Sequence, residues 1–193
     1  MFTLFRPDPL QTAARCAYER VVAQARRPGF FTDAGVPDTV AGRFELICLH
    51  AFLYLHRLKR EQPQARPLGQ RFFDAMFLDL DRSLREMGTG DLSVGREVRR
   101  MAEAFYGRIA AYEGGLAGGD AALQAALARN LFGTASATAA PRLGAMAAYV
   151  RGEVVRLRAQ DPSALLAGEV AFGEPPRLPD AAEPTTEPTT GPR

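Results

Sequence analysis

Two apolar stripes run along the segment between Val40 and Leu58, and they constrain the fold more than any other feature of the chain. One stripe repeats at helical spacing from Val40 to Leu58, and a second follows Leu46, Leu49 and Leu53 on another face. A helix that is apolar on two sides is buried among other helices. The pattern therefore predicts a central helix around which the rest of the chain packs.

Helical periodicity continues on both sides of this segment, and no stretch alternates apolar and polar residues as a strand does. The other apolar stripes predict helices at about 10–25, 73–87, 94–112, 120–130 and 141–160, with one further helical turn after residue 160. Asp38 is expected to cap the central helix, and Gly114-Gly115 is expected to end the fourth. The predicted fold is all-α, a single-domain bundle of about six helices.

The glycine-rich stretch REMGTGDLSVG, residues 85–95, lies between the third and fourth predicted helices. It lacks the Lys-Ser/Thr pair of a phosphate-binding loop, and its glycine spacing does not match the dinucleotide fingerprint. The pattern instead predicts a hinge, with a helix ending at Gly88 and the next one capped by Asp91 or Ser93.

The composition changes after Phe172, where GEPPRLPDAAEPTTEPTTGPR contains an EPTT repeat, no aromatic residue and many prolines. Such a segment buries too little apolar surface to offset the entropy of ordering it. The sequence therefore predicts a domain over residues 1–172 and a disordered tail over residues 173–193.

Composition excludes several classes of protein. A hydrophobic content of 47% with a net charge of +2 is typical of a globular chain. The longest apolar run, residues 46–55, is about half a membrane span, and the N-terminus lacks the pattern of a secretory signal. Cys16 and Cys48 form no disulfide framework. These features favour a cytoplasmic protein in a reducing compartment.

Candidate catalytic and metal-binding groups are sparse. Asp74, Asp79 and Asp81 invite comparison with prenyl-transferring enzymes, but they do not form a pair of carboxylates one turn apart on one face. His50 and Cys48 lack partners at the spacing of a zinc site. The sequence predicts no cofactor, no metal and no enzyme activity, while an all-helical enzyme on prenyl or quinone-like substrates stays as an alternative.

Charge is distributed unevenly along the chain. The fourth predicted helix holds four arginines against two acids, whereas residues 71–91 hold three arginines against five acids. These helices could pair with each other, recognise a charged segment of a partner protein, or contact ribosomal RNA phosphates. The three interpretations stay open at this point, and the small net charge does not indicate a DNA-binding protein.

The order of several motifs resembles one protein family. VPDTVAGRFE, REMGTGD and FYGR, found in this order between Tyr18 and Asn130, are similar to the ubiquinol–cytochrome c chaperone family in its bacterial, alphaproteobacterial form. The resemblance covers most of the chain and extends more loosely to Phe172. Gly95 departs from the family pattern, in which a proline often stands near the start of this helix.

The resemblance implies an all-helical assembly factor for the cytochrome bc1 complex that binds newly made cytochrome b or another bc1 subunit. The resemblance further implies what mitochondrial members of the family do, which is to associate with a small partner subunit and with the ribosome near its exit tunnel. We therefore expect a binding protein without catalysis, cytoplasmic or peripheral at the inner membrane.

The candidate partner-binding residues are mainly polar groups within these motifs and on the arginine-rich helix. They are Arg43, His50, Asp81, Arg85, Asp91, Arg99, Arg100, Tyr106 and Arg108. Candidates for an apolar groove are Phe72, Met76, Phe77, Met101, Phe105 and Tyr106, although the pattern favours a core role for most of them.

Overall fold

The structure, a computed structural model, describes residues 8–133 and 140–178. Within these ranges it contains eight α-helices and one short 3-10 turn, and no strand. The helices are α1 (Pro9–Ala25), α2 (Gly29–Thr32), α3 (Val40–Leu58), α4 (Arg66–Glu86), α5 (Asp91–Ala117), α6 (Asp120–Leu131), α7 (Ala140–Ala159) and α8 (Pro162–Leu166). Six of them are the predicted long helices, so the all-α prediction is confirmed. In the described ranges, none of the helices is long and apolar enough to cross a bilayer.

Helix α3 lies at the centre of the bundle, as its two apolar stripes predict. It packs against α1, α4, α5, α6 and α7, and Leu46, Leu49 and Leu53 are at most 1% exposed. The hydroxyl of Tyr54 donates a hydrogen bond to the Leu165 carbonyl at 3.0 Å, which connects α3 to α8. Neighbours on all sides explain why this helix needs apolar residues on more than one face.

The helix caps differ from the prediction at two positions. Thr39, not Asp38, caps α3 by accepting a hydrogen bond from the amide of Gly42 at 3.1 Å. Asp38 instead forms an ion pair with Arg43 at 2.6 Å. At α5 the cap position is Gly90, which has no side chain, and Asp91 is the first helical residue.

The hinge after α4 is confirmed as a helix end followed by a tight turn. Gly88 has a φ of +85°, in the left-handed region that favours glycine. The amide of Gly88 donates to the Arg85 carbonyl, and that of Thr89 donates to the Leu84 carbonyl, both at 3.0 Å. These two bonds are the Schellman pattern that closes a helix.

The predicted end of α5 at Gly114-Gly115 is wrong, because the helix continues to Ala117. Gly115 is buried within it, and a Cβ there would lie 2.9 Å from the Cα of Leu123 on α6. Gly115 therefore allows α6 to pack closely against α5. The sequence pattern does not distinguish a glycine used for close packing from one that ends a helix.

A C-terminal segment, residues 168–178, returns across the bundle and packs beyond the predicted domain boundary at Phe172. The amide of Gly173 donates to the Glu153 carboxylate at 3.1 Å, and its carbonyl accepts from Gln24 Nε2 at 2.7 Å. Glu174 forms an ion pair with Arg27. These contacts hold Gly173 and Glu174 on the body, and residues 179–193 of the predicted tail lie outside the described residues.

His50 belongs to the core, so its prediction as a partner-binding residue is wrong. Its side chain is fully buried, and Nδ1 donates to the Leu46 carbonyl at 2.7 Å. That bond leaves Nε2 as the acceptor for the Tyr149 hydroxyl at 2.8 Å. The Tyr149 oxygen in turn accepts from Gln24 Nε2 at 3.0 Å. His50 therefore joins α3 to α7 and α1 inside the protein.

The burial of His50 predicts a pH dependence of stability. Burial lowers its pKa to about 4, whereas an unfolded histidine has a pKa of about 6.5. Below pH 6.5 the unfolded chain binds the proton more readily, so the free energy of unfolding falls as the pH decreases towards 4. We expect this residue to contribute a loss of about 2 kcal/mol between pH 7.5 and 5, measured by urea denaturation. In His50→Gln this contribution to the pH dependence of the free energy of unfolding should vanish. An unchanged pH dependence would assign the effect to other groups.

Candidate partner-binding surface

A half-open groove of about 460 Å³ lies between the start of α3, the end of α4 and the middle of α5. We call it the α3–α5 groove. Apolar side chains form most of its walls, and charged groups lie at its floor and rim. It is lined by Val40, Ala41, Phe44, Glu45, Leu84, Glu97, Arg100, Met101, Ala104 and Arg108.

Two of the three sequence motifs line this groove, and the third is adjacent to it in the chain. VPDTVAGRFE supplies the first turns of α3, REMGTGD follows the wall residue Leu84, and FYGR ends with Arg108 on α5. The Thr39 cap fixes where α3 begins, and the turn at Gly88 directs α5 back alongside α3. Segments far apart in the sequence therefore form one surface.

An ion pair between Glu45 and Arg108 forms the floor of the groove. Arg108 Nε donates to Glu45 Oε2 at 2.5 Å, and a terminal nitrogen donates to Oε1, so the pair is bidentate. The Glu45 side chain is only 10% exposed and the Arg108 side chain only 20%. Arg108 also donates to the Ala104 carbonyl at 2.9 Å, and its guanidinium lies 5.6 Å from the ring centre of Phe44. The hydrogen bond to Glu45 raises the pKa of Arg108, which keeps the guanidinium charged.

The other charged candidates are exposed and already paired. Arg85 binds Asp81 at 2.7 Å and also contacts Asp91, so it connects the end of α4 to the start of α5. On α5, Arg100 pairs with Glu97 at 2.7 Å. Of this group, Arg100 lines the α3–α5 groove, whereas the Arg85 cluster lies beyond Leu84 at its end.

Arg43 and Arg99 lie outside the groove. Arg43 is paired with Asp38 at 2.6 Å, and its guanidinium lies 6.0 Å from the Phe31 ring centre in a neighbouring shallow cleft. Arg99 contacts Glu103 at 3.3 Å on the solvent side of α5. The structure therefore brings Arg100 and Arg108 together at one surface and separates these two from it.

The predicted apolar candidates divide between the core and the surface. Four of them, Phe72, Met76, Phe77 and Phe105, are buried core residues. Met101 lines the groove. Tyr106 is 59% exposed, and its ring stacks on Phe73 at a centroid distance of 5.5 Å. Only Met101 among the apolar candidates therefore contributes to the α3–α5 groove.

The aspartates of α4 do not form a metal site. Asp79 accepts a hydrogen bond from Tyr18 at 2.8 Å, Asp74 accepts one from Gln70 at 2.8 Å, and Asp81 binds Arg85. Each carboxylate thus has its own partner on the protein. In the part of the chain that the structure describes, no three His, Cys, Asp or Glu side chains are grouped to hold a metal.

Sequence reasoning missed Glu45 and the apolar wall at Val40, Ala41 and Phe44. Glu45 is 8% exposed on the most apolar helix of the bundle. A buried carboxylate requires a partner, so an acid inside an apolar stripe was the signal that could have found this site. Its partner Arg108 was among the predicted residues, but their pairing depends on how α3 crosses α5.

Comparisons with known proteins agree with the resemblance found in the motifs. The profile of the family described as Ubiquinol-cytochrome C chaperone matches residues 32–172. A relative from Xenopus laevis, Ubiquinol-cytochrome-c reductase complex assembly factor 1, is 29% identical over 164 residues, which make up 84% of this chain and 82% of the relative. The Homo sapiens protein of that name is 28% identical over 165 residues, covering 84% of this chain and 54% of the relative.

A solved structure supports the same relationship. The crystal structure of the Cbp3 homolog from Brucella abortus is similar with a TM-score of 0.76 and 38% identity, covering 86% of this chain and 91% of that chain. The chain also spans only about half the length of the Mus musculus relative, of which 55% is covered. Since the family profile matches most of the sequence, the chain belongs to the ubiquinol–cytochrome c chaperone family.

Proposed function

We propose that this protein is an assembly chaperone for the cytochrome bc1 complex, which holds newly made cytochrome b or a similar membrane subunit without catalysis. The observation that carries the proposal is the α3–α5 groove, an apolar surface that residues of two family motifs line and that the third motif follows directly in the chain. The relatives named as assembly factors of ubiquinol–cytochrome c reductase support the choice of complex.

The groove suits an apolar helical segment of a client. Such grooves accept side chains spaced three or four residues apart along one face of a helix. Val40 is 68% exposed at the entrance, and Met101 offers a flexible thioether in the wall. The paired charges at the rim suit the polar residues that flank a membrane segment. The client is therefore held by its apolar face while its ends stay hydrated.

The further partners belong to the same proposal. We expect association with a small partner subunit and with the ribosome near its exit tunnel, in the cytoplasm or at the inner-membrane surface. A purely RNA-binding role is less consistent with α5, because Arg99 and Arg100 are paired within the helix to Glu103 and Glu97. A catalytic role would need a group of reactive side chains, and the aspartates considered for it are bound to other residues.

Photo-crosslinking during cell-free translation of the host's cytochrome b tests this proposal. A crosslinking amino acid replaces either Ala41 in the groove or Ala159 at the end of α7, and both positions are exposed. We expect crosslinks to the nascent cytochrome b from position 41 and few from position 159. Equal yields from both positions would contradict the groove as the binding site. If neither position gives a crosslink, cytochrome b is not the client.

A pair of matched variants sharpens the test. Val40 and Leu78 are 68% and 63% exposed, so Val40→Glu and Leu78→Glu introduce the same charge at the groove and away from it. A glutamate at position 40 is also compatible with the first turn of α3. Burying an unpaired carboxylate against an apolar client costs roughly 2 kcal/mol, or about thirtyfold in affinity. We expect this loss only for Val40→Glu.

A further inference from the structure

We infer that the cleft between the end of α3 and the second half of α7 binds the phosphate groups of an anionic phospholipid surface. This α3–α7 cleft has a volume of about 500 Å³. It is separate from the α3–α5 groove, because Phe44 and His56 lie about 18 Å apart along the α3 axis at 1.5 Å per residue. The inference adds to the proposed function and is tested without a client.

Cationic side chains from α3, the 3-10 turn Lys59–Glu61 and α7 converge on this cleft, and two of them have no partner among the described residues. Arg57 is neutralised by Glu61 at 2.5 Å and donates to the Leu157 carbonyl, while Lys59 pairs with Glu113. Arg60 and Arg158 also line the cleft. Within residues 8–133 and 140–178, neither of these two forms an ion pair or a side-chain hydrogen bond. Two guanidinium groups on separate elements are therefore available to an external anion.

The exposed charge of α7 is entirely positive. Glu153 is the only acid in this helix, and it is 3% exposed because it faces inward and accepts hydrogen bonds from Gly173. Arg158 lies on the outer surface, and Val155, one turn earlier, exposes 68% of its side chain. An exposed apolar residue beside unpaired arginines matches a surface that contacts lipid headgroups and the edge of the acyl region.

Chemistry favours a phosphate group, and the surroundings favour lipid over RNA. Guanidinium groups bind phosphate oxygens bidentately, and basic residues near an anionic membrane each add to its attraction. The floor of the cleft is apolar, with Leu53, Val154 and Leu157. Recognition of single-stranded RNA relies on aromatic platforms for the bases. The lining of this cleft has no Phe, Tyr or Trp.

Sedimentation with vesicles tests the inference on the full chain. Vesicles of phosphatidylcholine with phosphatidylglycerol are compared with vesicles of phosphatidylcholine alone. We expect binding only to the anionic vesicles. Arg60→Gln/Arg158→Gln should weaken it by about thirtyfold, and Val155→Glu should weaken it too. The matched control, Arg96→Gln/Arg99→Gln, removes the same charge from exposed positions of α5 that line neither the groove nor the cleft, and it should retain binding. Thermal unfolding verifies that each variant is folded.

Each other outcome overturns the inference. If the wild type does not bind anionic vesicles, a phospholipid surface is not the partner of the cleft. Equal losses in both double variants would assign binding to net charge instead of to the cleft. If a single-stranded RNA oligonucleotide or inorganic phosphate binds through Arg60 and Arg158 while vesicles do not, the partner is a nucleic acid or a free anion. Crosslinking from position 41 reports on the client independently, so failure of one proposal is distinguishable from failure of the other.

Discussion

Replacing Arg108 with alanine is expected to lower the free energy of unfolding by about 3 to 5 kcal/mol. The substitution leaves the carboxylate of Glu45, which is 10% exposed, without its bidentate partner. An unpaired buried charge costs far more than the ion pair contributes, because desolvation is no longer offset by attraction. Urea denaturation at neutral pH measures the loss.

Two comparisons separate this effect from simple loss of packing. Glu45→Gln/Arg108→Met removes both charges at similar volume and should recover most of the stability. Arg85→Ala removes an arginine whose partners, Asp81 and Asp91, are 32% and 88% exposed, so it should lower the free energy of unfolding far less than Arg108→Ala does. If Arg108→Ala is as mild as Arg85→Ala, the floor pair is hydrated and is not a buried charge pair.

Gly168→Ala is expected to be similarly severe, with a loss of about 3 to 4 kcal/mol. Gly168 has a φ of +84°, which disfavours any L side chain. In addition, a Cβ there would lie 2.1 Å from the carbonyl oxygen of Ala13 on α1. The backbone of α1 cannot move away without disturbing the core, so the C-terminal segment would have to shift. Thermal unfolding and amide exchange across α1 measure the change.

Gly88→Ala is the matched control for this substitution. Gly88 has nearly the same φ of +85°, but a Cβ there would meet nothing within 4 Å. Its expected loss is about 1 to 2 kcal/mol, the penalty of the left-handed conformation alone. Equal losses at the two glycines would show that contact with Ala13 contributes nothing, which would contradict the close packing of the C-terminal segment.

The helices were predictable because the spacing of apolar residues indicates which face of each helix is buried. The stripes of α3 identify it as central, and Gly88 was identified as a helix end from the glycine itself. Caps were harder, because Asp38 and Thr39 are both good capping residues and only the geometry of the turn decides between them. Gly115 shows the same limit, since glycine serves both helix termination and close helix packing.

The candidate site was only partly predictable for a related reason. The motif FYGR and the arginine-rich pattern of the fourth predicted helix identified Arg108 and Arg100 as candidates, but the ion pair of Arg108 with Glu45 joins residues 63 positions apart. His50 has the polarity of a surface residue, and its burial depends on an acceptor one turn earlier, Leu46, and on a donor 99 positions away, Tyr149. Gly173 and Glu174 begin a stretch rich in proline, and composition does not encode the hydrogen bonds and the ion pair that hold these two residues on the body.

The hydrogen bond between Gln24 and Gly173 can form only after residue 173 has been synthesised, so it is a late step in the folding of a nascent chain. The two residues are separated by 149 positions, which corresponds to about 7 to 30 s of translation at 5–20 residues per second. During this interval α1 can pack against α3 and α4, but the side of Gln24 that faces Tyr149 and Gly173 has no cover. In a nascent chain that stalls before Gly173, the surface of α1 around Gln24 therefore stays exposed to proteases and chaperones.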